Sequence, residues 1–146
     1  KDNLLFVNPQ ANVTGILEQL QLGGFAEYLP AQLSGGMRQR VNLARALISE
    51  PDLLIMDEAF TSLDLPTKLK ISAGLVKQWE IQKFTMLAVT HDLKEALFLA
   101  DRILVLSSSP ARVLYDFAVE LGEQRSFSDP ELLALESRLL EIISGI

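Results

Sequence analysis

Residues 51–58 read Pro-Asp-Leu-Leu-Ile-Met-Asp-Glu. The apolar run Leu53–Met56, bounded by turn residues, reads as a β-strand covered on both faces, the habit of strands in parallel sheets flanked by helices. Two carboxylates, Asp57 and Glu58, stand where that run stops. In open α/β sheets ligands bind in the crevice beyond the carboxyl ends of the strands, so both acids would face such a crevice. One short stretch thus constrains the fold class and the place to look for chemistry.

The flanking elements agree. Phe84 to Thr90 and Arg102 to Leu106 read as two further buried strands, and Val113 to Leu121 reads as a strand near the sheet edge after the Ser107-Ser-Ser-Pro110 turn. Between them, Pro66 can occupy the first turn of a helix running to about Trp79. Asp92 with Glu95 three residues on resembles a capping arrangement for a helix to about Ala100. Strands alternating with helices imply crossover connections and a mainly parallel sheet.

The preceding segment is helical. Residues 1–12 show no clear period, and Asn8-Pro9 is a turn signal. Val13 to Leu22 carries Ile16, Leu17 and Leu20 at helical spacing and stops at Gly23-Gly24. Phe25 to Leu29 is long enough for one more turn. Ser34 is a candidate N-cap for a helix reaching about Ser49, closed by Pro51, with Met37, Val41, Ala44 and Ile48 as the expected buried stripe. A last helix is expected from about Ser128-Asp-Pro130, with Leu132, Leu135, Leu139 and Ile143 on one side. The expected divisions are 1–50, helical; 51–121, α/β core; and 122–146, a helical tail.

At 146 residues the chain is about one domain long. Its net charge of −6 argues against a broad nucleic-acid surface. With no cysteine, disulfides and thiolate metal sites are excluded. No apolar run approaches the roughly 18–20 residues of a membrane helix.

Three places carry chemistry. Ser34-Gly35-Gly36 puts a hydroxyl and unhindered backbone N–H groups at a helix N-terminus, where the dipole favours an anion and glycine permits close approach. Taken alone, it equally fits a plain N-cap and a flexible turn. Asp57 can hold Mg²⁺ directly or through water, and Glu58 can orient or deprotonate an attacking water; an isolated Asp-Glu is also what a solvated acidic turn looks like. His91, the only histidine, follows directly on a strand, where a neutral imidazole can hydrogen-bond a phosphate oxygen. It reads as well as a helix-capping or surface residue, and Asp64 reads as well as a cap for the Pro66 helix. Their joint occurrence in this order is the stronger signal.

Leu33-Ser-Gly-Gly-Met37 with Gln39-Arg-Val-Asn-Leu-Ala-Arg-Ala-Leu47 resembles the signature motif of ATP-binding cassette (ABC) ATPases. Leu53–Glu58 resembles their Walker B strand and catalytic glutamate, Ser62-Leu-Asp64 the D-loop, and Thr90-His-Asp92 the H-switch. The likeness runs over about residues 12–120. It implies a partial P-loop NTPase-like α/β core plus part of the helical subdomain, with ATP and Mg²⁺ as cofactors. It further implies that Asp57 serves the metal, Glu58 is the general base and His91 contacts the γ-phosphate. Ser34, Gly35, Gly36 and Gln39 would face nucleotide held by the opposite subunit, and Asp64 would cross the dimer interface. The implied partners are a second ATPase subunit in a head-to-tail dimer, membrane permease subunits and, indirectly, a solute-binding protein, with the ATPase on the cytoplasmic face of the membrane. Glu95-Ala-Leu-Phe-Leu-Ala-Asp-Arg102, Ser109-Pro-Ala-Arg112 and the acidic tail helix look like importers of the nitrate, sulfonate and taurine group.

Two departures matter. Ala59 stands where the family usually has proline. No G-x-x-x-x-G-K-[ST] loop occurs in the sequence, so the resemblance implies that this loop, the Q-loop and the first core strands would precede Lys1. Without that cradle the 146-residue chain by itself is expected to be inactive towards Mg-ATP and, with strands short of neighbours, to self-associate. The alternative to an ATPase is a non-enzymatic half that supplies Ser34–Met37 in trans. A DNA-repair or chromosome-organising relative fits less well, because the spacing from signature to Walker B is short.

Overall fold

The computed structural model describes residues 1–121 and 125–144, and the expected start of a tail at residue 122 lies outside the described residues. The elements run α1 (Asp2–Leu5), α2 (Val13–Gln19), α3 (Gly35–Ile48), β1 (Leu53–Asp57), α4 (Leu65–Gln82), β2 (Thr85–Val89), α5 (Leu93–Leu99), β3 (Arg102–Leu106), β4 (Val113–Ala118) and α6 (Pro130–Ser144). They fall into two compact units, Lys1–Val89 and Thr90–Ile146.

In the first unit, capping chemistry sets the helix starts. The Asn12 side chain accepts from the Gly15 N–H at α2, Ser34 from Met37 at α3, and Asp64 from Thr67 at α4. Lys83, in the left-handed region at φ 56°, ends α4 and donates its N–H to Trp79. The unforeseen α1 is a single turn, too short to show a period, anchored by buried Leu4. The Gly23-Gly24 stop forms a 3₁₀ turn over Gly23–Phe25, and Pro30–Gln32 forms another in place of the expected helical turn before Pro30.

Helix α2 packs on α3 and α4. A Cβ on Gly74 would lie 3.3 Å from the Gln19 carbonyl oxygen, so glycine sets how closely α2 and α4 approach. The buried face of α3 is Leu43, Ala44, Leu47 and Ile48. The expected stripe began with Met37 and Val41, which are only half-buried; α1 and α2 both pack on α3.

Strands β1 and β2 pair in parallel from Leu53–Thr85 to Asp57–Val89. The expectation of strands covered on both faces is corrected here. Leu54 and Met56 are buried, whereas Leu53 and Ile55 are 50% and 63% exposed, and Leu87 and Val89 are 55% and 54% exposed. An unbroken apolar run records what a strand can bury on each face, but only one face of this pair is packed within the unit.

In the second unit β3 and β4 pair antiparallel. The expected sheet was mainly parallel; here the connection over residues 107–112 is far shorter than the dozen or so residues a parallel crossover needs, so the chain makes a hairpin. Asp92 caps α5 by accepting from the Glu95 N–H, as its spacing suggested. Helix α5 packs on α6, with Leu97, Leu132 and Leu139 buried. Phe98 stacks on Phe127 at 4.2 Å between centroids, and Lys94 pairs with Glu136 at 3.4 Å. Leu135 and Ile143, expected on the same side of α6, are half-buried.

The one-sided sheet separates neighbours in sequence. Leu54→Ala is expected to cost about 2–5 kcal/mol in urea unfolding, whereas Ile55→Ala should stay within about 0.5 kcal/mol. Equal losses at both positions would mean that the second face is covered as well.

Candidate functional site

The site grows from the first turn of α3. Ser34 sits in extended backbone, and its Oγ accepts from the Met37 N–H at 3.2 Å. Gly35 faces open space: beyond its chain neighbours and its own helix backbone, nothing lies within 4 Å of where a Cβ would be. A Cβ on Gly36 would instead lie 3.3 Å from Leu63 Cδ2 and 3.7 Å from the Ser62 carbonyl oxygen, so this turn rests against the loop that follows β1.

That loop begins at the end of β1. Asp57 is the last strand residue, and both it and Glu58 are exposed. Glu58 takes a left-handed backbone at φ 45°, which is uphill for a residue with a Cβ and persists only where neighbours hold it. Its N–H donates to the Val89 carbonyl at 2.9 Å, and its own carbonyl accepts from the Thr61 N–H at 3.3 Å and from Gln39 Nε2 at 3.1 Å. Buried Phe60 anchors the turn from beneath. The Ser62 hydroxyl donates to Gln39 Oε1.

Asp64 closes the loop as the cap of α4. Hydrogen bonds from Thr67, side chain first and then backbone, hold its carboxyl below the ordinary carboxylate range, with a smaller contribution from Arg40. Arg40 donates to the carbonyls of Leu20 and Gln21 at 3.1 and 3.0 Å, fastening the end of α2 to α3. Burial draws its guanidinium down from its usual range, and the attraction of Asp64 opposes that.

The structure therefore brings Ser34, Gly35, Gly36, Gln39, Asp57, Glu58 and Asp64 into the first unit, with the α3 turn and the post-β1 loop in direct contact. His91 is the second residue of the second unit and is exposed. Among the described residues no three or more His, Cys, Asp or Glu side chains cluster as a metal cage. A single exposed carboxylate such as Asp57 suits Mg²⁺, which keeps several waters and is bound through one or two carboxylates plus substrate phosphates. Sequence reasoning missed the work of Arg40 and the two-ended engagement of Gln39. The only signal for the latter was its position one helical turn beyond Gly36.

Comparison with known proteins gives the class. The ABC transporter family profile matches residues 1–61. The chain is 42% identical over 132 residues to an aliphatic sulfonates import ATP-binding protein of Burkholderia lata, covering 90% of this chain and 48% of that protein. It is 47% identical over 124 residues to a similarly named protein of Nocardia farcinica, covering 85% and 49%. The dimeric ATP-binding cassette MJ0796, solved with ADP and Pi, is similar at a TM-score of 0.65 and 35% identity, over 74% of this chain and 46% of that one. The archaeal recycling factor aABCE1 shares the fold at a TM-score of 0.72 and 24% identity, over 81% and 23%. This chain belongs to the ABC transporter ATPase family. Both of these curated relatives are named as aliphatic sulfonates import ATP-binding proteins, and the chain spans about half the length of each. Among the described residues no helix is long and apolar enough to cross a membrane.

Two measurements follow from the caps. Ser34→Ala should lower unfolding stability by about 1 kcal/mol through the lost N-cap. The depressed Asp64 carboxyl contributes stability above the unfolded carboxylate range and loses it as pH falls through the lower folded value. Asp64→Asn should therefore flatten part of the acid limb of a thermal-stability profile; an unchanged limb would remove Asp64 from that account.

Proposed function

We propose that these residues form the signature, Walker B and D-loop portion of the ATP-hydrolysing subunit of an ABC importer, acting on a small solute of the sulfonate class. The observation that carries the reading is the contact between a Ser-capped glycine turn on α3 and the loop leaving an acid-ended parallel strand. An anion-accepting helix start and two exposed carboxylates are thereby placed in one body. The names of the relatives support the importer class and the solute.

In this reading Asp57 holds Mg²⁺, which supplies charge neutralisation at the phosphates. Glu58 accepts the proton of the attacking water, its position fixed by a backbone tied to Val89 and Gln39. His91 donates to a γ-phosphate oxygen. Ser34 Oγ and the N–H groups of Gly35 and Gly36 face the γ-phosphate of nucleotide bound to a second, head-to-tail ATPase subunit, and Asp64 lies towards that interface. Permease subunits couple the cycle to transport at the inner face of the membrane, and a solute-binding protein delivers the cargo.

The test is ATP hydrolysis by the natural gene product that carries this sequence. Glu58→Gln should cut turnover by roughly 10²–10⁴-fold while nucleotide binding persists. Ser34→Arg should abolish turnover by filling the approach to the glycine turn. Full turnover in Glu58→Gln would refute the assignment of the base.

A further inference from the structure

The carboxamide of Gln39 is engaged at both ends within its own chain. Nε2 donates to the Glu58 carbonyl at 3.1 Å, and Oε1 accepts from the Ser62 hydroxyl. A carboxamide can do both at once, whereas a carboxylate lacks the donor, an alkyl chain lacks both, and asparagine is a methylene shorter. The residue it holds, Glu58, is in left-handed backbone at φ 45°. Val89 fixes the N–H side of that residue and Gln39 the carbonyl side.

A further tie joins the same pair of segments. Gly36, one turn before Gln39, packs against Leu63 and Ser62. Helix α3 thus grips the loop by a close van der Waals contact and a pair of hydrogen bonds, all within residues 36–39 on one side and 58–63 on the other. We infer that Gln39 is a positioning residue, not a nucleotide ligand: its carboxamide locks the phosphate-facing turn of α3 to the backbone of Glu58 and to the Ser62–Asp64 loop. This rests on Glu58 being the base of an ATPase.

The experiment uses the natural gene product with Gln39→Leu, Ser62→Ala and the double variant. Hydrogen exchange should quicken in residues 58–64 for either single variant, with other segments unchanged. Turnover in Gln39→Leu should fall at least tenfold while KM for ATP stays within twofold. The double variant should lose less than the product of the two single losses, since both substitutions break one network. A tenfold rise in KM at unchanged kcat would make Gln39 a ligand and overturn the proposal, as would unaltered exchange in residues 58–64 or acceleration spread over the whole chain. If the unsubstituted protein hydrolyses no ATP, the ATPase reading fails by itself, and localised exchange still decides whether Gln39 locks the loop.

Discussion

The backbone bond from the Glu58 N–H to the Val89 carbonyl, at 2.9 Å, extends the parallel ladder of β1 and β2 one step past the last strand residue. Beyond it the chain must turn away, and the left-handed backbone of Glu58 makes that turn. Register decides the rest: with Asp57 opposite Val89, both carboxylates emerge at the carboxyl end of β1, at the rim where α/β sheets meet their ligands. A slip of one residue would turn Leu54 and Met56 out of the core and break the arrangement. Burial of those two side chains is therefore what fixes the carboxylates in place.

The second determinant is the density of ties between α3 and the loop after β1. Each is modest: a close glycine approach and a carboxamide bridge. Together they join a segment suited to anions with one that carries acids. The two segments have opposite electrostatic preferences: a helix start favours an anion, and exposed carboxylates favour a cation. Arg40 adds a link outward by holding the carbonyls at the end of α2, so the glycine turn is braced from behind.

Much of this was legible in the order of residues because it is local. Ser34, Asp64 and Asp92 act as caps where their spacing said they would, Pro66 lies in the first turn of α4, and β3 occupies the predicted span Arg102–Leu106. The ABC family likeness was also legible, since it rests on several motifs in a fixed order. Sidedness was not. Apolar runs at β1 and β2 suggested two covered faces, yet Ile55 and Leu87 face outward; composition records what a strand could bury, not what is there to cover it.

The sequence by itself determined where helices start, where strands stop and which residue types are available for phosphate chemistry, because capping, proline geometry and apolar runs act over a few residues. Only the tertiary structure decided the antiparallel pairing of β4, the shifted buried face of α3 and the two-ended engagement of Gln39. Those features depend on partners 7 to 23 residues away or on whichever helix arrives to pack, and a linear pattern holds no distance across space.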